Sequence, residues 1–253
     1  MGRNMMGSQR EISSEEGKAA NLSTGAPGQL RDPQSESSIL DCSCANWPSD
    51  QPNSRLINNL IMLQTNSASL SSTAPLRRVR ARQIICHPKD GLEHVTVICS
   101  GWASSSVLLP DSRRQILSFL LPGEFVSIAS IFGITSSRLV EAITEVSYRR
   151  FRRVDVEVAL RNNPDLLADI HQAWIEECKV ADRLIVDMGR RTASERVARQ
   201  ILYLADKLSG RNMMNGLVME FPLRQRQIAD ATGLTQVHVS KMMISLQRSG
   251  VIV

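Results

Sequence analysis

The sequence lacks any apolar run approaching the roughly 18–20 residues that a membrane-spanning helix needs. Its N-terminal stretch, MGRNMMGSQREISSEEGKAANLSTG, is polar and carries acidic residues, so it has no apolar core of the kind found in secretory signal peptides. We therefore expect a cytoplasmic protein that does not associate with a membrane.

The sequence also lacks the cysteine pattern of a disulfide scaffold. It contains five cysteines, an odd number, and no C-x-x-C motif. A disulfide framework is uncommon in a cytosolic chain, so buried or incidental thiols are the simpler interpretation. No nucleophile–base pair, metal-binding cluster or phosphate-binding loop stands out either. The sequence therefore predicts no enzyme, and no bound metal or cofactor.

The charge of the chain is unevenly distributed. The net charge is +5, and the segment from Arg183 to Val253 holds eleven Lys and Arg against five Asp and Glu. A basic C-terminal third favours an anionic polymer, such as nucleic acid, as a partner.

Composition divides the chain into four parts. Residues 1–54 are rich in Ser, Gly, Asn and Gln and poor in branched apolar residues, which predicts a disordered tail. Residues 55–160 contain short apolar runs such as HVTVIC and SSVLL, broken by turns such as PKDG and LPGE, which favours an all-β barrel or roll. A further strand-like stretch, RLVEAITEVSYRRFRR, closes this region.

Residues 161–189 change to a helical period. Apolar residues recur at spacings of three and four, close to a 3.5-residue repeat, and predict one apolar seam on a long helix. Such a seam needs a partner, and we favour a second copy of the chain over packing within the same chain. The predicted dimer-interface residues are Leu167, Ile170, Trp174, Cys178, Ala181, Ile185 and Met188.

Residues 190–253 predict a helix and then a helix-turn-helix. Thr192 and Glu195 have the spacing of a capping box, which starts the first helix. The stretch LRQRQIADATGLTQVHVSKMMISLQ contains two short helical segments around Gly233, and Thr235 is suited to cap the second. An ordinary pair of packed helices has the same pattern, but the basic charge favours a DNA-binding unit.

In a helix-turn-helix, the N-terminal residues of the second helix reach base edges in the major groove. Val239, Met243 and Leu246 are expected to pack inward. The side chains predicted at or near the DNA are Thr235, Gln236, His238, Ser240, Lys241, Arg224 and Arg226, with Arg190 and Arg191 as further candidates for phosphate contacts.

The order of these segments resembles the Crp/Fnr family of bacterial transcription regulators. The matching stretches are EHVTVICSGW, DSRRQILSFLLPGEFV, DRLIVDMGRRTASERVARQIL and RQIADATGLTQVHVSKMMISLQRSGVI. The resemblance implies an α+β chain with a cyclic-nucleotide-binding-type β-roll, a long dimerisation helix and a C-terminal winged helix-turn-helix. It also implies a homodimer that binds a palindromic site in double-stranded DNA and has RNA polymerase as a further partner.

The chain departs from the family pattern in three respects. Ile128 stands where cyclic-AMP-binding members carry a Glu, and Arg138 is displaced from their phosphate-binding Arg, so we expect no cyclic-AMP response and a surface role for Arg138. The tail offers only Cys42 and Cys44, too few for the iron–sulfur cluster of oxygen-sensing members. Val237 stands where many members have a Glu on the recognition helix, and it could contact a thymine methyl group.

Family members continue beyond the second helix into a short hairpin, the wing. Here only Val253 follows Ile252, so the comparison predicts a truncated wing. Two functions remain open: a sequence-specific transcription regulator, and a signal-sensing or protein-interaction module that has lost DNA binding through that truncation.

Overall fold

The computed structural model describes residues 53–66, 74–88, 90 and 93–252. The predicted disordered tail, residues 1–54, lies outside the described residues except for Asn53 and Ser54. The described chain forms a β-roll, a long helix and a C-terminal helical domain, in that order. The α+β architecture predicted from the sequence is therefore confirmed.

Within the described residues, the β-roll consists of two antiparallel sheets. The first has the order β1–β7–β3, with β1 (Leu76–Val79), β7 (Val146–Arg152) and β3 (His94–Ser100). The second has the order β2–β6–β4–β5, with β2 (Ile84–Cys86), β6 (Leu139–Ala142), β4 (Ala103–Leu108) and β5 (Arg114–Leu120). The run HVTVIC lies in β3 and the run SSVLL lies in β4 up to Leu108, whereas RLVEAITEVSYRRFRR contains both β6 and β7.

Helices close one end of the β-roll. Helix α1 (Ser54–Asn66) buries Leu56, Ile57 and Leu60, whose spacing places them on one face. They share a core with strand β3, a short 3-10 helix (Ile128–Phe132) and helix α2 (Arg153–Asn162). The sequence analysis assigned no helix to α1, because its polar surroundings resemble the tail.

The predicted long helix is confirmed as α3 (Asp165–Arg190), which has 26 residues and is about 39 Å long. It begins directly after Pro164, whose fixed φ suits the start of a helix. Only its first turns are fully buried in the described structure, at Leu166 and Ile170, which join the core formed by α1. The remainder of the helix runs along the outside of the β-roll towards the C-terminal domain.

The C-terminal domain has three helices and a small hairpin in the described residues. They are α4 (Ala193–Ser209), β8 (Met214–Asn215), β9 (Val218–Met219), α5 (Gln225–Thr232) and α6 (Gln236–Arg248). The capping box of Thr192 and Glu195 is present at the start of α4, as predicted. The domain packs on the β-roll through a core in which Phe119 and Leu121 meet Leu204 and Leu208.

Candidate nucleic-acid interface

The turn between α5 and α6 is shaped by two residues. Gly233 has φ 66° and ψ 30°, a left-handed conformation that favours glycine, and its amide donates to the Ala229 carbonyl where α5 ends. The Thr235 hydroxyl then accepts a hydrogen bond from the His238 amide at 3.3 Å and caps α6. The helix-turn-helix and the capping role of Thr235 are therefore confirmed.

Helix α6 is held by its inner face. Val239 is completely buried and packs with Val197 of α4 and Ile228 of α5. Met243 and Leu246 are partly buried against the same core. These are the residues predicted to pack inward, and they fix the rotation of α6 about its axis.

The opposite face of α6 is exposed. Gln236, Val237 and Lys241 are exposed, and Ser240 is half-buried. Val237, Lys241 and Ile244 follow at spacings of four and three, so they form one stripe along the helix. Among the residues that the structure describes, Lys241 has no ion-pair partner. The stripe therefore offers an ammonium group between two apolar side chains.

Two of the predicted contact residues are engaged with each other. The Thr235 hydroxyl lies 3.2 Å from His238 Nδ1 as well as accepting from the His238 amide. Both residues are exposed at the N-terminal end of α6. Their polar atoms thus define the start of the helix, beside the free backbone amides of its first turn.

The predicted phosphate-binding arginines differ in their surroundings. Arg224 and Arg226 are exposed at the start of α5, and within the described structure neither forms an ion pair. Arg190 is exposed at the end of α3, whereas Arg191 forms an ion pair of 2.7 Å with Asp187. Arg224 and Arg226 therefore present uncompensated positive charge on the same domain as α6.

Most of the predicted dimer stripe is exposed on α3. Ile185 is 70 % exposed and Trp174 is 39 % exposed. Leu167, Cys178 and Ala181 are exposed on the same helix. The aromatic ring of Trp174 also meets Phe132 of the 3-10 helix edge-on, with ring centroids 5.8 Å apart.

Two residues of the predicted dimer stripe pack against other parts of the same chain. Ile170 is completely buried in the core beside α1, so the structure does not leave it for a partner. Met188 is half-buried, and its Sδ lies 2.9 Å from where a Cβ on Gly233 would be. Periodicity places both residues on the stripe, but it does not say which surface covers each turn of the helix.

Ile128 and Arg138, the residues that the sequence analysis compared with the cyclic-AMP-binding members of the family, both contact Glu177 of α3. Arg138 Nη1 lies 2.5 Å from Glu177 Oε1 of α3, and the Ile128 amide donates to the second oxygen of Glu177 at 3.4 Å. Arg138 is therefore a partly buried residue that ties the 3-10 helix region to α3, rather than the free surface residue expected from the sequence.

Other classes of site are not found in the described residues. There, no group of His, Cys, Asp or Glu could hold a metal ion, and no helix is long and apolar enough to cross a membrane. Cys86, Cys99 and Cys178 form no disulfide in the described structure, and burial raises the pKa of Cys99 to about 12. Cys42 and Cys44 lie outside the described residues.

One residue that links the helices of this domain was missed by the sequence analysis. The guanidinium of Arg196 donates to the carbonyls of Met188, Arg191 and Thr232, at 2.8, 3.0 and 3.4 Å. It therefore joins the end of α3 and the start of α4 to the end of α5. Its only sequence signal is one more arginine in a basic segment, which does not distinguish a partly buried clamp from a surface charge.

Models of two known domain families match the N-terminal and C-terminal parts of the described chain. A model of the cyclic nucleotide-binding domain matches residues 76–163, and a model of the Crp-like helix-turn-helix domain matches residues 195–253. The first match covers the β-roll, and the second covers α4 to α6.

The chain is also similar in sequence to curated proteins. The transcriptional activatory protein AadR of Rhodopseudomonas palustris is 31% identical over 180 residues, which is 68% of this chain and 74% of that protein. The transcriptional activator protein FnrL of Cereibacter sphaeroides is 27% identical over 188 residues, which is 73% of this chain and 75% of that protein. Nothing in these comparisons favours the alternative in which DNA binding has been lost.

The fold of a solved relative also matches. The structure of FixK2 from Bradyrhizobium japonicum is similar with a TM-score of 0.61 and 28% sequence identity, covering 71% of this chain and 87% of that one. Together with the exposed face of α6, these matches show a DNA-binding transcription regulator, and the chain belongs to the Crp/Fnr family.

Proposed function

We propose that this chain binds a palindromic DNA site as a homodimer and reads its sequence with α6. The observation that carries this proposal is the exposed stripe of Val237, Lys241 and Ile244 on a helix whose opposite face is locked by buried Val239. A helix held in this way can enter the major groove without losing its packing.

The exposed residues of α6 suit base edges of different kinds. The Gln236 amide can donate to and accept from adenine, and the Lys241 ammonium can donate to the O6 and N7 of guanine. Val237 is 65% exposed and has no polar atom, so it fits the methyl group of thymine. Ser240, one turn after Gln236, reaches a base or a phosphate.

Exposed arginines supply contacts that do not depend on sequence. Arg224 and Arg226, at the start of α5, are placed to bind phosphates beside the groove that α6 occupies. Arg190, at the end of α3, is a further candidate. Each phosphate contact releases counterions, so binding is expected to weaken as the salt concentration rises.

The dimer is formed through α3. Leu167, Trp174, Cys178, Ala181 and Ile185 lie exposed along the helix, and a second copy would cover them. A seam that repeats every three or four residues packs well against an identical helix. Family members bind DNA as dimers, and a two-fold axis requires two half-sites in inverted orientation.

The regulator is expected to activate transcription through RNA polymerase. Two relatives, FnrL and AadR, carry names that describe transcriptional activators. We place RNA polymerase among the partners on that basis.

The test compares variants on the DNA site that the wild-type chain prefers. Lys241→Ala should lower the discrimination at one base pair by about five- to 150-fold, as expected for the loss of a base contact worth about 1–3 kcal/mol. Arg226→Gln should weaken binding to every sequence alike and reduce the salt slope by about 1. Binding is measured by fluorescence anisotropy across a salt series.

A matched control is Lys179→Ala, which removes the same charge from α3, where Lys179 pairs with Glu176 at 2.7 Å. This variant should bind DNA as the wild-type chain does. The assignment of α6 fails if Lys241→Ala keeps the full discrimination of the wild-type chain at every base pair.

A further inference from the structure

The first helix of the helix-turn-helix is bound to the β-roll through a shared arginine. Arg114 of β5 lies between two carboxylates: its Nη1 is 2.8 Å from Glu141 of β6, and its Nη2 is 3.0 Å from Asp230 of α5. The three side chains are only 17, 25 and 20% exposed. One arm of this contact stays within the β-roll and the other crosses to the DNA-binding domain.

The next residue of β5 makes a second crossing contact. Gln115 Nε2 donates to the Ala231 carbonyl at 3.2 Å, at the end of α5 where carbonyls lack partners within the helix. The Ala231 side chain is buried with Ile116 and Phe119 of β5. Consecutive residues of one strand therefore hold the last turn of α5 through polar groups and apolar packing.

The same turn is held from its other side. Arg196 donates to the Thr232 carbonyl at 3.4 Å and to the Met188 carbonyl at 2.8 Å, so it links α5 to the end of α3. The β-roll contacts α4 and the turn after it as well, since Lys207 of α4 lies 2.8 Å and Arg211 2.5 Å from a carboxylate oxygen of Glu124. The orientation of α5 is thus fixed relative to both α3 and the β-roll.

We propose that Arg114 and Gln115 are positioning residues that set the spacing between the two half-sites that a dimer recognises. This inference rests on the proposed function, in which α3 pairs two chains and α6 reads each half-site. Because α6 is packed on α5, the angle at which α5 is docked on β5 determines where each α6 lies relative to the dimer axis. Neither residue touches DNA in this role.

Spacing is a sensitive readout of docking because DNA is helical. One added base pair moves a half-site by about 3.4 Å and rotates it by about 34° around the DNA axis. A firmly docked domain cannot follow that change, whereas a domain released from β5 can. Loss of docking should therefore relax the preference for one spacing without changing which bases α6 reads in each half-site.

The experiment uses the full chain and the variants Asp230→Asn and Arg114→Gln. Operators with the preferred spacing and with one base pair more or fewer are bound in competition. The ratio between preferred and altered spacing should fall by about three- to tenfold, the range expected for a charged contact that is partly exposed. Discrimination between correct and mutated bases within a half-site should stay as in the wild-type chain.

Two matched controls separate docking from general effects of charge. Glu141→Gln removes the arm of the Arg114 contact that stays within the β-roll and should keep the wild-type spacing preference. Arg113→Gln removes the neighbouring charge, which pairs only with Asp111 of its own hairpin at 2.7 Å in the described structure, and should also behave as wild-type. If Asp230→Asn keeps the wild-type spacing preference, the proposal is wrong.

Hydrogen–deuterium exchange in the absence of DNA tests the docking of α5 independently of the proposed function. The backbone amides of residues 225–232 should exchange faster in Asp230→Asn than in Glu141→Gln. Equal exchange in both variants would show that the Arg114 contact does not hold α5, whatever the chain does on DNA. A wild-type chain with no preference for paired half-sites would instead contradict the proposed dimeric function, and the spacing role with it.

Discussion

Replacing Gly233 with alanine should destabilise the chain for two separable reasons. Gly233 has φ 66°, and a residue with a Cβ in this left-handed conformation costs about 1–2 kcal/mol. The added Cβ would also lie 2.9 Å from Met188 Sδ, so the thioether must move from its place. Displacing that side chain from its preferred rotamer costs about 0.5–1.5 kcal/mol. The free energy of unfolding should therefore fall by about 1.5–3.5 kcal/mol.

Gly216 offers a matched control for this substitution. Its φ is 61°, and nothing lies within 4 Å of a Cβ built there. Gly216→Ala should therefore lower the free energy of unfolding by the backbone cost alone, about 1–2 kcal/mol. Adding Met188→Ala to Gly233→Ala should change stability less than Met188→Ala does in the wild-type chain, because the steric contact is removed.

Urea denaturation followed by circular dichroism measures these differences. With an m-value of about 2 kcal/mol per M, Gly233→Ala should lower the midpoint by about 0.8–1.8 M. All samples need one protein concentration, because the stability of the proposed dimer depends on it. If Gly233→Ala and Gly216→Ala lose equal stability, the contact with Met188 is not tight. If Gly233→Ala unfolds at the wild-type midpoint, the left-handed conformation assigned to Gly233 is wrong.

Two further predictions concern the dimer and the start of α4. Trp174→Asp buries a charge in the proposed seam and should convert the proposed dimer into a monomer in sedimentation velocity. Leu217→Asp, at a hairpin residue that is 98% exposed, should stay dimeric. A dimeric Trp174→Asp would exclude this seam. The Thr192 backbone amide lowers the pKa of Glu195 below 4.5, so the carboxylate stabilises the fold above that pH and this contribution is lost as the pH falls through the lowered pKa. The melting temperature of Glu195→Gln should therefore lie below that of the wild-type chain at pH 7 and approach it as the pH falls through the lowered pKa. A difference that does not depend on pH would contradict the capping role.

The parts of the structure with local signals could be predicted from the sequence. Gly233 and Thr235 mark the turn and cap of α6, because a left-handed glycine and an N-terminal hydroxyl act within a few residues of themselves. Val239 follows from the helical period. The long helix α3 follows from the same kind of pattern, since Pro164 precedes its first turn and apolar residues recur along it.

Contacts between distant residues could not be predicted in this way. Ile170 fits the apolar seam of α3, but it is covered by α1, which the sequence analysis did not identify as a helix. Arg114 and Asp230 are 116 residues apart, and neither has a neighbour that marks it as a crossing contact. Arg138 looked like a surface residue because its partner, Glu177, is contributed by another element.

The measurement that tests the account most directly is the selection of bound sequences from a random double-stranded DNA pool, using the purified full chain at two salt concentrations. The account predicts one enriched palindrome whose half-sites lie about one helical turn apart, with affinity that falls as salt rises. If the chain binds DNA but enriches no sequence, and this binding weakens equally for all sequences as salt rises, the claim that α6 reads bases is contradicted.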